Sequence, residues 1–351
     1  MNTIGRLFRV SILGESHGAC VGVVVDGCPA GVSLSAEDLL PDIARRKSGA
    51  KGTTTRTEDD VPKIKSGTFN GKTTGAPVLI EFENRDTDST AYERIKNTPR
   101  PGHADFVANK KFGGFNDYRG GGHFSGRLTL GLVAAGAIAK KIIAPVRVEA
   151  NLTEAGGSRK QQFSRDLNNS SSGSKDENDI KKSIESAMQD NDSVGGIVEC
   201  RANGIPIGLG EPFFDSAESL LAHAIFSIPA VKGIEFGAGF KCAQMRGSEC
   251  NDEIVDAKSG KTKTNNSGGI NGGITNGNEL VFRVAVKPTS SIGKKQGTVD
   301  VKTGSRTELV IEGRHDACIA LRAPVVIEAA TAIVLADLML IEQKIKRVPK
   351  V

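Results

Sequence analysis

Residues 316–346 read DACIALRAPVVIEAATAIVLADLMLIEQKIK, and the reading of this stretch decides the fold. The run from Ala317 to Ile341 is long and apolar enough to raise the question of a membrane span. Arg322, Glu328 and Asp337 interrupt it, however, and Pro324 lies inside it. Charged side chains are costly in hydrocarbon. The stretch is therefore expected to be a helix from Asp316 to Lys346, apolar nearly all round and buried inside a water-soluble core.

Working outward, the elements that could cover such a helix are hairpins. Leu7 to Leu13 and Ala19 to Val25 read as strands flanking the turn GESHG, residues 14–18. Val61 to Phe69, Asn70-Gly71 and Lys72 to Phe82 form a hairpin pattern with a type I′ turn. Val194 to Ile207 and Glu279 to Val286 read as further strands. Helices are expected after Ser35-Ala-Glu-Asp38, a capping box running to Arg46, and over Ser125 to Ile143 and Ile180 to Met188. A second capping box, Asp215-Ser-Ala-Glu218, should open a helix to Ser227. Hairpins separated by helices, without regular βαβ units, indicate an α+β fold with antiparallel sheets. Residues 156–178 are polar and rich in Ser and Asn. They read as a mobile excursion within a single domain spanning 1–351.

Composition narrows function. The chain has 351 residues, 38% hydrophobic and 25% charged, with a net charge of +5. That mild basicity suits an anionic small molecule better than nucleic acid, whose binders carry a basic stripe with stacking aromatics. The six cysteines form no CxxC pair, so no zinc ribbon or thioredoxin motif is present and no metal site is expected. The N-terminal MNTIGRLFRVSILGESHG lacks the apolar core of a signal peptide. Free thiols in a reducing cytoplasm are expected, with neither membrane nor nucleic acid as partner.

Five stretches carry candidate chemistry. Gly14-Glu-Ser16-His17-Gly18 fits the GxSxG pattern of a nucleophile elbow, but an elbow needs a following helix, and ACVGVVVDG reads as a strand. A hairpin turn crowding Glu15, Ser16 and His17 together is favoured. Ser66 to Thr73, SGTFNGKT, falls one glycine short of a P-loop and reads as the hairpin above. No GxGxxG lies between a strand and a helix, so a dinucleotide fold is unsupported. Arg100-Pro-Gly-His103-Ala-Asp105 places a histidine and an acid on a rigid turn. The 117–127 loop, DYRGGGHFSGR, feeds a helix N-terminus, an anion-binding arrangement. Arg119, His123, Ser125 and Arg127 add donors there, and Ser125 is also a candidate N-cap. Lys287-Pro288-Thr289-Ser290-Ser291 closes a strand with a cation and hydroxyls. Arg314-His315-Asp316 opens the apolar helix, where Asp316 is either its N-cap or a catalytic acid.

Taken together, these segments resemble the chorismate synthase family over almost the whole chain. The resemblance rests on GESHGACVGVVVDGCP (14–29), GGGHFSGRLTLGLVAAGAIAKK (120–141) and RHDACIALRAPVVIEAA (314–330). NTIGRLFRV, GKTTGAPV, RPGHAD, SIPAVKGIEFG, GGINGGI and KPTSSI support it in the same order. It implies a β-α-β sandwich, a homotetramer and FMN bound in reduced form, with NADPH as a candidate reductant. It also implies anti 1,4-elimination of phosphate from 5-enolpyruvylshikimate-3-phosphate. By that resemblance His17 donates a proton toward the leaving phosphate and His103 protonates the flavin. Asp316, with Ser16 and Ser125, supports the relay of the substrate proton. His123, Phe124, Ser125, Gly272, Lys287, Pro288, Thr289, Ser290, Ser291 and Arg314 fall where the family holds FMN. Arg46 falls at a nicotinamide or substrate-phosphate contact, and Arg119 and Arg127 are expected to bind substrate. Many relatives carry Arg where this chain has His123, Ala where it has Gly126 and Arg where it has Gly52.

Overall fold

The computed structural model describes residues 2–54, 58–85, 87–159, 173–311 and 315–343. Two five-stranded sheets face each other across a layer of helices. In the first, Thr3–Ile4, Arg9–Gly14, Cys20–Asp26, Val78–Glu83 and Lys63–Ile64 pair in that spatial order, every pair antiparallel. In the second the order is Val231–Phe236, Leu280–Val286, Gly196–Asn203, Arg147–Ala155 and Ser158–Arg159, again antiparallel. Alternation explains the layering: Leu280, Phe282, Val284 and Val286 are buried while the residues between them are less so. One face of the strand thus looks inward. The α+β sandwich expected above is the observed one.

Between the sheets lie two helices packed on one another, Thr129–Ile142 against the first sheet and Ala323–Ile341 against the second. They approach so closely that a Cβ on Gly136 would overlap Ala329. The long apolar stretch is therefore a core helix, and its interrupting charges are satisfied. Asp337 accepts from the backbone N–H groups of Arg6, Leu7 and Phe8 at 2.7–3.0 Å, pinning the N-terminal segment to the core. Glu328 accepts from Arg45 at 2.6 and 2.7 Å, Lys140 at 2.8 Å and the Ala150 N–H at 2.9 Å. Buried carboxylates are tolerated when paired in this way.

The helix starts later than expected. A short 3₁₀ turn, Ile319–Leu321, precedes it, and the α-helix begins at Ala323 with Pro324 in its first turn. Proline is suited to that turn because it has no N–H to donate. Asp316 is consequently not a helix cap. Two other boundaries shift. Ser216, rather than Asp215, caps Ala217–Phe226 by accepting from the Ser219 N–H at 3.1 Å, while Asp215 pairs with Arg6. The helix expected at Ile180 runs from Gly173 to Gln189. Among residues 178–189, whose side chains are described, Ile180, Ile184 and Ala187 are buried at helical spacing. Of the polar stretch 156–178, residues 160–172 lie outside the described set, and its described ends are a short strand and the start of this helix.

Candidate active site

The GESHG turn joins the strands Arg9–Gly14 and Cys20–Asp26 as a hairpin. Ser16 is fully buried and no helix follows, so an exposed nucleophile is absent from this turn. The Ser16 N–H donates to the Gly122 carbonyl at 3.1 Å, which ties the turn to the glycine loop. His17 lies beside it, 9% exposed, with Nδ1 at 2.8 Å from Ser89 Oγ and its ring edge-on to Tyr92.

Gly120, Gly121 and Gly122 have φ values of 59°, 82° and 53°. This left-handed run is open to glycine at little cost. It lets the backbone press against both histidines. A Cβ on Gly120 would sit 2.6 Å from His17 Nε2 and 2.7 Å from Ser16 Oγ. One on Gly121 would sit 3.4 Å from Cε1 and Nε2 of His103. Residues about a hundred positions apart in the chain thus meet on two neighbouring glycines.

His103 stands on the edge of a cavity of about 850 Å³ whose walls include Arg46, Phe124, Ser125, Arg127, Thr289 and Asp316. One wall is cationic. Arg46 is 3% exposed and donates to Thr129 Oγ1 at 3.0 Å and to the Gly126 carbonyl at 2.9 Å, with Asp60 at 3.6 Å. Arg127 pairs with Asp60 and donates to Asn84 Oδ1. Arg322 lies 3.3 Å from Asp316, whose carboxylate also accepts from the Thr54 N–H at 2.9 Å. Three guanidinium groups therefore share two carboxylates. Burial and the neighbouring Arg322 push Arg46 down to about 9, against the pull of Asp60. A guanidinium stays charged at neutral pH even so, and the excess positive charge suits an anion.

Another part of the wall is the 287–291 segment. Lys287 Nζ donates to the Gly102 carbonyl and to Ser290 Oγ, and Ser290 Oγ reaches the same carbonyl. Burial and then Lys232 lower the Lys287 ammonium from its ordinary value. Thr289 Oγ1 is buried with no hydrogen-bond partner. A buried hydroxyl left without a protein partner beside a cavity fits a polar ligand edge.

His123 also lines the cavity; its Nδ1 is 2.9 Å from the Gly14 carbonyl and its Nε2 is 3.1 Å from Asn2 Oδ1. Ser125 caps the following 3₁₀ turn. Phe124 is 39% exposed at the cavity, and Pro288 and Ser291 complete the wall. Five expectations fare differently. Ser16 and His17 are not on the cavity wall; both lie behind Gly120, which is. Arg119 lies outside the cavity wall, its guanidinium bidentate on Asp117 at 2.9 Å, because the nearest carboxylate is two residues away. Gly272 sits in the tight hairpin Ile270–Asn271/Ile274–Thr275, also outside the wall. Arg314 lies outside the described residues.

Sequence reasoning missed Asp60, Ser89 and Tyr92, which come from segments with no motif of their own, and read Arg322, inside the 314–330 stretch, only as a charge interrupting the apolar run. It quoted Arg100 and Asp105 without a role. The adjacency of acid and histidine in RPGHAD was the available signal.

The profile described as Chorismate synthase matches residues 8–340. The chain is 61% identical over 351 residues to the chorismate synthase of Chitinophaga pinensis, covering 100% of both chains. It is 50% identical to that of Dehalococcoides mccartyi, covering 99% of each, and 48% identical to that of Pyrococcus abyssi, covering 96% and 97%. A solved structure named Crystal Structure of Chorismate Synthase superposes with a TM-score of 0.73 at 28% identity, over 97% of this chain and 93% of that one.

Proposed function

The chain belongs to the chorismate synthase family, and from that premise we propose how its residues divide the work. The reaction is the lyase step of the shikimate pathway that converts 5-enolpyruvylshikimate-3-phosphate to chorismate and phosphate, and the family uses reduced FMN. The observation that carries the residue assignment is the convergence of His17 and His103 on one glycine turn, of which Gly120 lines a cationic cavity together with His103.

Arg46, Arg127 and Arg322 receive the substrate phosphate. Fixed donors at low dielectric stabilise charge where it accumulates as a bond breaks. His17, oriented by Ser89, holds the proton that reaches the departing phosphate from Nε2. His103 presents Nε2 toward the flavin side, and donates from it when the ring is the doubly protonated imidazolium. Asp316, held by Arg322 and the Thr54 N–H, keeps a carboxylate on the cavity wall, which Ser125 also lines, and Ser16 lies behind the glycine turn.

The residues fit FMN. Thr289 has an unpaired hydroxyl, Ser290 and Ser291 add two more, Phe124 offers an aromatic surface, and the volume lies in the range of ligand pockets. His123, Lys287 and Pro288 complete the proposed FMN wall. Reduced FMN, when bound, supplies electron density to the allylic system as phosphate leaves and takes up the proton, which sits on a carbon no ordinary side-chain base matches. We assign Arg46 to the substrate phosphate, and leave to NADPH the part of a reductant of oxidised flavin. The same reading treats 1–351 as one cytoplasmic domain, supported by a hydrophobic core continuous through both sheets and by six free thiols. It takes the assembly as a homotetramer, supported by Phe213, Phe214 and Phe240, each more than 80% exposed on the single chain.

An anaerobic assay with chemically reduced FMN, with and without NADPH, tests the reading. The expected result is many turnovers per flavin, equal amounts of phosphate and chorismate and no net flavin oxidation. One oxidised flavin per product, or undiminished turnover without flavin, refutes it.

A further inference from the structure

We propose that Asp105, clamped by Arg100, is the positioning residue of His103: it fixes a proton on Nδ1 and turns Nε2 toward the cavity. This rests on the reading above for the role of His103, but the geometry is independent of it. His103 Nδ1 lies 2.6 Å from Asp105 Oδ1 and 3.1 Å from Arg100 Nη2. Arg100 grips the same carboxylate, Nε to Oδ2 at 2.7 Å and Nη2 to Oδ1 at 2.8 Å, and its backbone N–H adds a third bond at 3.1 Å. Its remaining terminal nitrogen, Nη1, donates to Ser291 Oγ at 3.1 Å.

These distances select a tautomer. An unprotonated Nδ1 would set its lone pair against a carboxylate oxygen at 2.6 Å, a repulsive contact. A proton on Nδ1 turns it into a short charge-assisted hydrogen bond. The second N–H of Arg100 Nη2 also lies within reach of Nδ1, at 3.1 Å, but donation from it would leave the 2.6 Å approach of Asp105 Oδ1 to a bare Nδ1 uncompensated. Burial works to raise the Asp105 carboxyl, but Arg100 and His103 outweigh it and hold the group well below the usual carboxylate range. It is therefore an anion and can only accept.

The main chain is fixed as well. The His103 N–H donates to the Arg100 carbonyl at 3.2 Å, and Lys287 and Ser290 hold the Gly102 carbonyl, each at 2.8 Å. The ring thus has one free nitrogen, Nε2, on the side of Gly121. The 287–291 wall and the histidine turn form one hydrogen-bonded unit, so the orientation of His103 is built into the cavity wall.

A purely structural role for the Arg100–Asp105 pair, as a brace of the 100–105 turn, makes a different prediction, and nitrogen NMR separates the two. In the full chain labelled with ¹⁵N-histidine and without flavin or substrate, the His103 signal is identified by its loss in His103→Gln. At a pH where the ring is neutral, it should show Nδ1 protonated and Nε2 bare. In Asp105→Asn, whose amide can accept or donate at that place, the two tautomers should mix. Turnover should fall at least about tenfold, within the range of general acid–base contributions, with KM within threefold. Asp105→Glu should restore part of the rate and the single tautomer. A wild-type ring protonated at Nε2, or an Asp105→Asn enzyme with unchanged turnover, overturns the proposal. If Asp105→Asn does not fold, the wild-type tautomer decides alone. Since that measurement needs no turnover, failure of the lyase reading and failure of the Asp105 assignment are told apart.

Discussion

Gly120→Ala should disable the enzyme by displacing one imidazole, and Gly121→Ala is its matched control. Both glycines are left-handed, with φ of 59° and 82°. Either methyl should therefore cost about 1–2 kcal/mol of backbone strain. The surroundings differ. The Gly120 methyl would lie 2.6 Å from His17 Nε2, whereas the Gly121 methyl would meet His103 at 3.4 Å, close to ordinary contact. Carbon-type contacts settle near 3.6 Å, so the His17 ring has to move by about 1 Å. Ser16, fully buried on the same side, cannot yield for it. A displacement of about 1 Å of a reacting group can cost on the order of 10²-fold in rate, equivalent to about 2.7 kcal/mol of barrier. Overpacking adds about 1–3 kcal/mol of destabilisation, which a domain of ordinary stability survives. Phosphate release under anaerobic conditions with reduced FMN, alongside thermal unfolding, reads both effects. Gly121→Ala should stay within about tenfold of wild type and unfold only slightly earlier. With the His17 ring gone only the Ser16 Oγ contact at 2.7 Å remains, so adding Gly120→Ala to His17→Ala should slow turnover by much less than Gly120→Ala slows the wild type. Equal losses in the two glycine variants, or Gly120→Ala within threefold of wild type, would refute the argument that the glycine turn sets His17.

Three further outcomes follow from the same geometry. His17→Ala and His103→Ala should each fold and lose about 10²- to 10⁴-fold in turnover; a near-normal rate in either removes that residue from the mechanism. Arg46→Met should raise KM for the phosphate substrate at least about tenfold, yet leave the unfolding temperature unchanged or higher, because burial and Arg322 already oppose its charge; a large drop in stability with normal KM would make Arg46 a structural residue. Asp105 has a folded pKa below its unfolded value of about 3.9. Its stabilisation is thus complete above that value and lost as pH falls toward the folded one. Asp105→Asn should flatten the acid limb of a stability-against-pH curve below about pH 4, and an unchanged limb would show that the Arg100 pairing contributes no stability.

Much of this was legible along the chain because local patterns report burial and turn chemistry directly. The alternation in Leu280–Val286 marks an inward face, and Asn70 and Gly71 adopt the positive φ that a type I′ turn demands. The motif stretches GESHG, RPGHAD and DYRGGGHFSGR were each visible as turns bearing polar groups. What they do to one another was not. Arg119 looked like a donor equal to Arg127, but it closes on Asp117 two residues away, while Arg127 reaches back to Asp60 and Asn84. Choice of ion partner depends on distances that spacing does not encode. Asp316 looked like a helix cap until Pro324 moved the helix start.

The sequence by itself therefore determined that an apolar helix lies inside an antiparallel α+β framework, and which turns carry His17, His103 and the glycine loop. These are consequences of periodicity and of φ preferences, which act within a few residues. Only the tertiary structure decided that His17 and His103 share one glycine turn, that Asp60 and Arg322 complete the cationic wall, and that Gly272 lies elsewhere. Those facts depend on how two sheets dock across the helices Thr129–Ile142 and Ala323–Ile341. That docking is set by close packing between side chains far apart in the chain.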